Sequence, residues 1–182
     1  MRVELAGIDG AGKSTVAGAV ASRLGFEIRR VTAYGPAFEH GVAQLRRALG
    51  ERGVEAARAI AIGRALLETA AAPMGPNVVF DRYVESARMY WTVQSIAPLP
   101  NDVLRLLPAN DAVVLLDVDV ATGLARRRGT SFDDVDAESA YLDRCVTYLR
   151  GAARRNGWIV IDARAPLEDV AEEVVTAVRA RT

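Results

Sequence analysis

Nine residues near the amino terminus, Gly7-Ile8-Asp9-Gly10-Ala11-Gly12-Lys13-Ser14-Thr15, constrain this chain more than any other stretch. They match the pattern G-x-x-x-x-G-K-S/T. An apolar run, Val3-Glu4-Leu5-Ala6, precedes them, and a helical pattern from Val16 to Leu24 follows. A strand, a glycine turn and a helix in that order make a nest of inward-pointing backbone N–H groups at the positive end of the helix. Phosphate oxygens satisfy such a nest. Gly7, Asp9, Gly10, Ala11, Gly12, Lys13, Ser14 and Thr15 are therefore the candidate phosphate-binding residues. Lys13 suits the β- and γ-phosphates of a nucleoside triphosphate such as ATP, and the Ser14 hydroxyl suits a Mg²⁺ shell. A turn that merely joins a strand to a helix would have no use for the Lys-Ser pair.

The rest of the chain alternates apolar runs with helical patterns. Strands are expected at Phe26–Thr32, Val78–Phe80, Val113–Val118 and Trp158–Asp162. Helices are expected at Val42–Leu49, Val54–Ala72, Glu85–Val93, Asn101–Leu107, Glu138–Arg155 and Leu167–Arg179, with Gly25 and Gly50 as helix stops. This alternation predicts one α/β domain over residues 1–182, a five-stranded parallel sheet with helices on both faces, and the glycine turn near its centre. Val54–Ala72 is apolar on most faces, so it is expected to be buried or to pack on a partner. A homodimer face and burial within one chain both account for it.

Lys plus Arg equals Asp plus Glu, 23 of each, so the formal net charge is zero. Nothing in that balance draws the chain to nucleic acid or an anionic membrane, and any phosphate affinity must come from local clusters. Cys145 is the only cysteine, which rules out an intrachain disulfide. The apolar runs are too short to span a bilayer, and Asp9 and Lys13 interrupt any export signal. A cytoplasmic protein is expected.

A second motif, Asp81-Arg82-Tyr83-Val84-Glu85-Ser86 with Tyr90 beyond it, stands at the end of the Val78–Phe80 strand. Together with the glycine turn it resembles the thymidylate kinase family of nucleoside monophosphate kinases, whose second motif reads D-R-Y/F/W-x-x-S-x-x-x-Y. Leu116-Asp117-Val118 followed by Leu124 to Gly129 resembles that family's fourth strand and basic lid. Ile161-Asp162-Ala163 with Pro166 resembles its last strand and the loop bordering adenine. The resemblance implies a P-loop kinase fold, ATP and Mg²⁺, nucleotide substrates, and transfer of a γ-phosphoryl group to the 5′-phosphate of a pyrimidine deoxynucleotide. By the same resemblance, Asp9 contacts the acceptor sugar, Arg82 grips the acceptor phosphate, Arg64 is a second acceptor-site arginine, and Tyr90 lies beside the sugar. Arg126, Arg127 and Arg128 would be catalytic arginines of a mobile lid around residues 126–136.

Ala33-Tyr34-Gly35-Pro36 replaces the family's R-E-P-G, Ile60 stands where an aromatic stacks on the base, Leu66 takes the polar position just after Arg64, and Trp91 replaces a glutamine or small residue. Three of these four departures lie where the acceptor's base and sugar are expected. A kinase for a different nucleotide or a non-nucleotide acceptor is the competing reading. A nucleotide switch is disfavoured, because no N-K-x-D motif is present.

Each charged residue also has a plainer reading. Arg82 could pair with a helix carboxylate, Asp81 could cap the following helix rather than serve Mg²⁺, and Asp9 could be a turn residue. The three lid arginines could form a solvated helix end, where cations are favoured. His40 is expected at the surface, and Cys145 in the core.

Overall fold

In this computed structural model, residues 1–31, 36–95, 104–127 and 135–181 are described. Five strands form one parallel sheet: β1 (Arg2–Ala6), β2 (Glu27–Arg30), β3 (Val78–Asp81), β4 (Ala112–Asp117) and β5 (Ile159–Asp162), in the order β2-β3-β1-β4-β5. β1 is central, paired with β3 through Leu5↔Asp81 and with β4 through Leu5↔Val114. Val3, Leu5 and Val114 are fully buried, as a strand covered on both faces requires.

Helices flank both faces. α1 (Lys13–Leu24) packs with α6 (Leu167–Arg179), and α3 (Val84–Val93) packs with α5 (Val135–Asn156). α4 (Val120–Arg126) follows β4 and is capped by Asp119, whose side chain accepts from the Thr122 N–H at 2.7 Å. The main core joins both layers, with Val16 and Val20 of α1, Leu142 and Leu149 of α5 and Val174 of α6 around the inner strands. Among the described residues, no helix is long and apolar enough to cross a membrane.

The two helices expected on either side of Gly50 are present as the two arms of α2 (Pro36–Ala71), parted by a kink at Gly50, whose φ of 66° leaves the helical region. Of the two readings of Val54–Ala72, burial within one chain accounts for only part of its apolar surface. Leu66 and Ile62 are buried, but Ile60 is 71% and Leu67 43% exposed. α3 covers one side of α2, and the side bearing Ile60 and Leu67 faces outward. The first residues of the expected Asn101–Leu107 helix lie outside the described residues, and Leu104 to Leu107 form a short turn.

Candidate functional site

The carboxyl edge of the sheet brings together the β1–α1 loop, the residues after β3, and α4 with the loop after β5. In the β1–α1 loop Gly10 takes a positive φ of 85°. A β-carbon there would lie 2.0 Å from the carbonyl oxygen of Gly123 in α4. The loop and α4 therefore meet backbone to backbone.

Lys13 opens α1 and is 4% exposed. Its Nζ donates to the carbonyls of Gly7 at 2.9 Å and Ile8 at 2.6 Å, and lies 3.9 Å from Asp9 Oδ1. Burial, with the Arg82 charge adding to it, brings the ammonium down to about 7.

Arg82 follows β3 directly and holds φ at 71°, a left-handed conformation that costs a residue with a side chain about 1 kcal/mol. Its guanidinium donates to Asp9 Oδ1 and to the Tyr90 hydroxyl, with Cζ 5.9 Å from the centre of the Tyr90 ring. Arg82 thus joins the two other residues named from the sequence, Asp9 and Tyr90. Burial works against the Asp9 charge, but Arg82 and Lys13 prevail and hold its carboxyl at about 2. Burial lifts the Tyr90 hydroxyl to about 12. The Arg82 guanidinium is held charged, because Tyr90 and Asp9 outweigh its own burial.

Asp81 ends β3 and is 1% exposed. Its Oδ2 accepts from Ser14 Oγ at 2.6 Å and from Arg30 Nε at 2.7 Å. Its Oδ1 is buried and has no hydrogen-bond partner among the described residues. Asp81 does not cap α3, since that helix has no side-chain cap of its own. A hydroxyl beside a carboxylate with one oxygen unsatisfied is a donor set suited to a hard cation that keeps most of its water. Among the described residues, no three His, Cys, Asp or Glu side chains cluster as a metal cage.

A cavity of about 690 Å³ extends from this cluster. Gly10 to Val16, Arg82, Arg126, Arg127, Ala163 to Leu167 and Val170 line it. Lys13 and Arg82 face the same space. Arg126 Nη1 donates to the Ala163 carbonyl at 2.6 Å and Nη2 to the Arg164 carbonyl at 3.2 Å, so it ties α4 to the loop after β5. Arg127 forms an ion pair with the buried Glu138 of α5. Arg128 and residues 129–134 lie outside the described residues, as does the side chain of His40.

Ile60 and Arg64 are not brought to this cavity. Arg64 is exposed and its Nε donates to Glu68 Oε1 at 2.8 Å, a pairing within one turn of α2. Trp91 is buried in the smaller core with Phe80 and Tyr83. Cys145 is buried, and burial pushes its thiol up to about 11.

Two residues of the site escaped the reading of the sequence. Arg30 lies opposite Asp81 in the β2–β3 register and reaches its carboxylate. Glu4 is fully buried within β1. A lone carboxylate in an apolar run was the available signal for Glu4, and a doubled arginine at a strand end was the signal for Arg30.

Comparison with known proteins bears on this arrangement. A family model described as thymidylate kinase matches residues 5–174. The probable thymidylate kinase of Pyrobaculum calidifontis is 30% identical over 196 residues, spanning 98% of this chain and 95% of that protein. Deoxyadenosine kinase from M. mycoides, solved with its products dCMP and a flexible dCDP, matches with a TM-score of 0.73 at 20% identity, over 100% of both chains. The same enzyme with dATP matches at 0.70 and 18% identity, over 98% of this chain and 100% of that one. At these identities the solved structures speak for the fold.

Proposed function

From the premise that the chain belongs to the thymidylate kinase family, and is thus a phosphotransferase acting on nucleotides with ATP as co-substrate, we propose that it converts dTMP and ATP to dTDP and ADP. The observation that carries this reading is the shared cavity of Lys13 and Arg82, with Asp9 and Tyr90 joined to it through Arg82. Phosphoryl transfer joins two anions in line, so the acceptor phosphate needs its own cation, separate from the one holding the donor.

In this reading the amides of Gly10 to Thr15 cradle the triphosphate, and Lys13 leaves the Gly7 and Ile8 carbonyls for its outer oxygens. Arg82 offers the acceptor phosphate a planar fork, a geometry phosphate matches on two oxygens. Asp9 and Tyr90 aim that fork and border the acceptor sugar. Ser14 and Asp81 would hold Mg²⁺, which supplies charge neutralisation on the triphosphate when bound. Arg126 and Arg127, with Arg128, belong to a lid around 126–136 that closes over the phosphates and excludes water. The whole of residues 1–182 acts as one kinase domain.

The test is ADP release by the purified protein with Mg²⁺, ATP and a panel of nucleoside monophosphates. Stimulation by dTMP above the others supports the reading; the absence of stimulation by any of them ends it. A second reading, a different acceptor on the same machinery, is favoured by one observation. Ile60 and Arg64, the positions matched to base and acceptor recognition, face outward. The same outward face, with Ile60 and Leu67 exposed, suits a second copy of the chain. Sedimentation of Leu67→Glu beside the wild type tests this: a lighter species is expected, and equal mass refutes it.

A further inference from the structure

We propose that Glu4 is the positioning residue that holds Arg82 at the acceptor end of the cavity. This inference rests on the reading of Arg82 as the acceptor-phosphate residue.

Glu4 lies in the central strand, with Phe80 and Val113 as its register partners, and is 0% exposed. A buried carboxylate is costly unless its lone pairs are met. Here five donors meet them. Oε1 accepts from Tyr83 N at 2.9 Å, Ser86 N at 2.9 Å and Ser86 Oγ at 3.0 Å. Oε2 accepts from Glu85 N at 3.1 Å and Asn110 Nδ2 at 2.7 Å. Three of these donors are backbone amides at the start of α3, the groups that every helix leaves without an internal partner. Because α3 has no side-chain cap of its own, a carboxylate from another element supplies one.

The place of Arg82 between these contacts matters. Asp81, before it, is paired in the ladder with Leu5 of β1. Tyr83, after it, donates to Glu4 of β1. Both neighbours of the left-handed residue are therefore fastened to one strand, and that strand runs directly into the phosphate loop. A strained conformation persists where its surroundings over-determine it. The carboxylate thus sets the distance between the Arg82 fork and the Lys13 loop without touching either ligand.

The test is a double-mutant cycle of Glu4→Gln with Arg82→Ala, read with MgATP and dTMP. Glutamine keeps the shape. Its oxygen can serve Tyr83 and Ser86, and its NH₂ can meet the unpaired Asn110 Oδ1 if that amide turns over. The Glu85 amide and the turned Asn110 NH₂ then lose their acceptor. A misplaced fork is expected to lower kcat/KM for dTMP about 10- to 100-fold, with the ATP Kd unchanged. In the Arg82→Ala background the same substitution should have little further effect, because the residue it positions is gone.

Equal effects in both backgrounds, or an equal loss of ATP affinity, overturn the inference. An Arg82→Ala enzyme with wild-type kinetics instead overturns the functional reading on which it rests. If Glu4→Gln does not fold, Ser86→Ala replaces it in the cycle, removing only the hydroxyl contact. A smaller loss in kcat/KM that again disappears without Arg82 is expected; an additive loss refutes the inference. If the wild type does not turn over dTMP, the cycle is read on binding of inorganic phosphate to the ADP complex. Affinity lost through Glu4 only when Arg82 is present supports the inference, and unchanged affinity refutes it.

Discussion

Binding of MgATP should draw a proton from solution, and the amount should follow pH in a way set by Lys13. Burial, and the Arg82 charge after it, bring this ammonium to about 7 in the free protein. A triphosphate placed against Nζ opposes both causes and returns the group to its fully charged state. With the free-state value brought down to about 7, uptake per ATP should be small at pH 6 and rise through pH 7 to pH 8. Calorimetric titrations in buffers of small and large ionisation heat give the uptake as the slope of observed heat against buffer heat. Lys13→Arg should abolish the pH dependence, since a guanidinium stays charged throughout this range. Uptake that stays flat from pH 6 to 8 in the wild type would refute the reasoning. The same shift has a stability sign. The folded value lies below the unfolded one, so between about pH 7 and 10.5 the unfolded chain holds more protons, and this group's contribution to stability rises with pH there.

Asp9 carries the opposite kind of shift. Its folded value of about 2 lies below the ordinary 3.8, so its contribution is present above the ordinary value and lost as pH falls through the folded one. Asp9→Asn should flatten the acid limb of a urea-unfolding series, and an unchanged limb counts against the ion pair with Arg82. Arg82→Gly relieves about 1 kcal/mol of left-handed strain yet removes the fork; denaturant melts should change little while dTMP kcat/KM falls about 100-fold or more. Arg126→Ala should raise the ATP KM about 10-fold with the acceptor KM unchanged, because it frees the Ala163 and Arg164 carbonyls that border the cavity. Leu149→Ala, at a 1% exposed core position, should cost about 2–5 kcal/mol in chemical unfolding without altering the ATP Kd.

Much of this layout was legible from local pattern. Val78–Phe80 reads as a buried strand because it is short, apolar and bounded by a turn, and it delivers Asp81 and Arg82 to the sheet edge as the motif requires. Gly50 reads as a break because it releases the backbone from the helix. What escaped depends on contacts between distant parts of the chain. Glu4 looks like an intruder in a strand until the amides of Tyr83, Glu85 and Ser86 are placed over it. Arg30 becomes a partner of Asp81 only through the β2–β3 register. The outward face of α2 could not be told from an inward one, because an alanine-rich helix offers no polar stripe to mark the side that meets water. Arg126 illustrates the reverse: a basic helix end is easily foreseen, but its grip on two carbonyls beyond β5 is not.

The bare contact between Gly10 and Gly123 sets how the arginine-bearing helix can move. With no side chain between them to yield, the first turn of α4 is effectively riveted to the donor cradle. If Arg126 and Arg127 swing as the proposed lid requires, their pivot lies on the far side of that rivet, which makes the swinging arm short. In the lid reading proposed for these arginines, closure over the phosphates would then be a small tilt of a stub rather than the sweep of a flap.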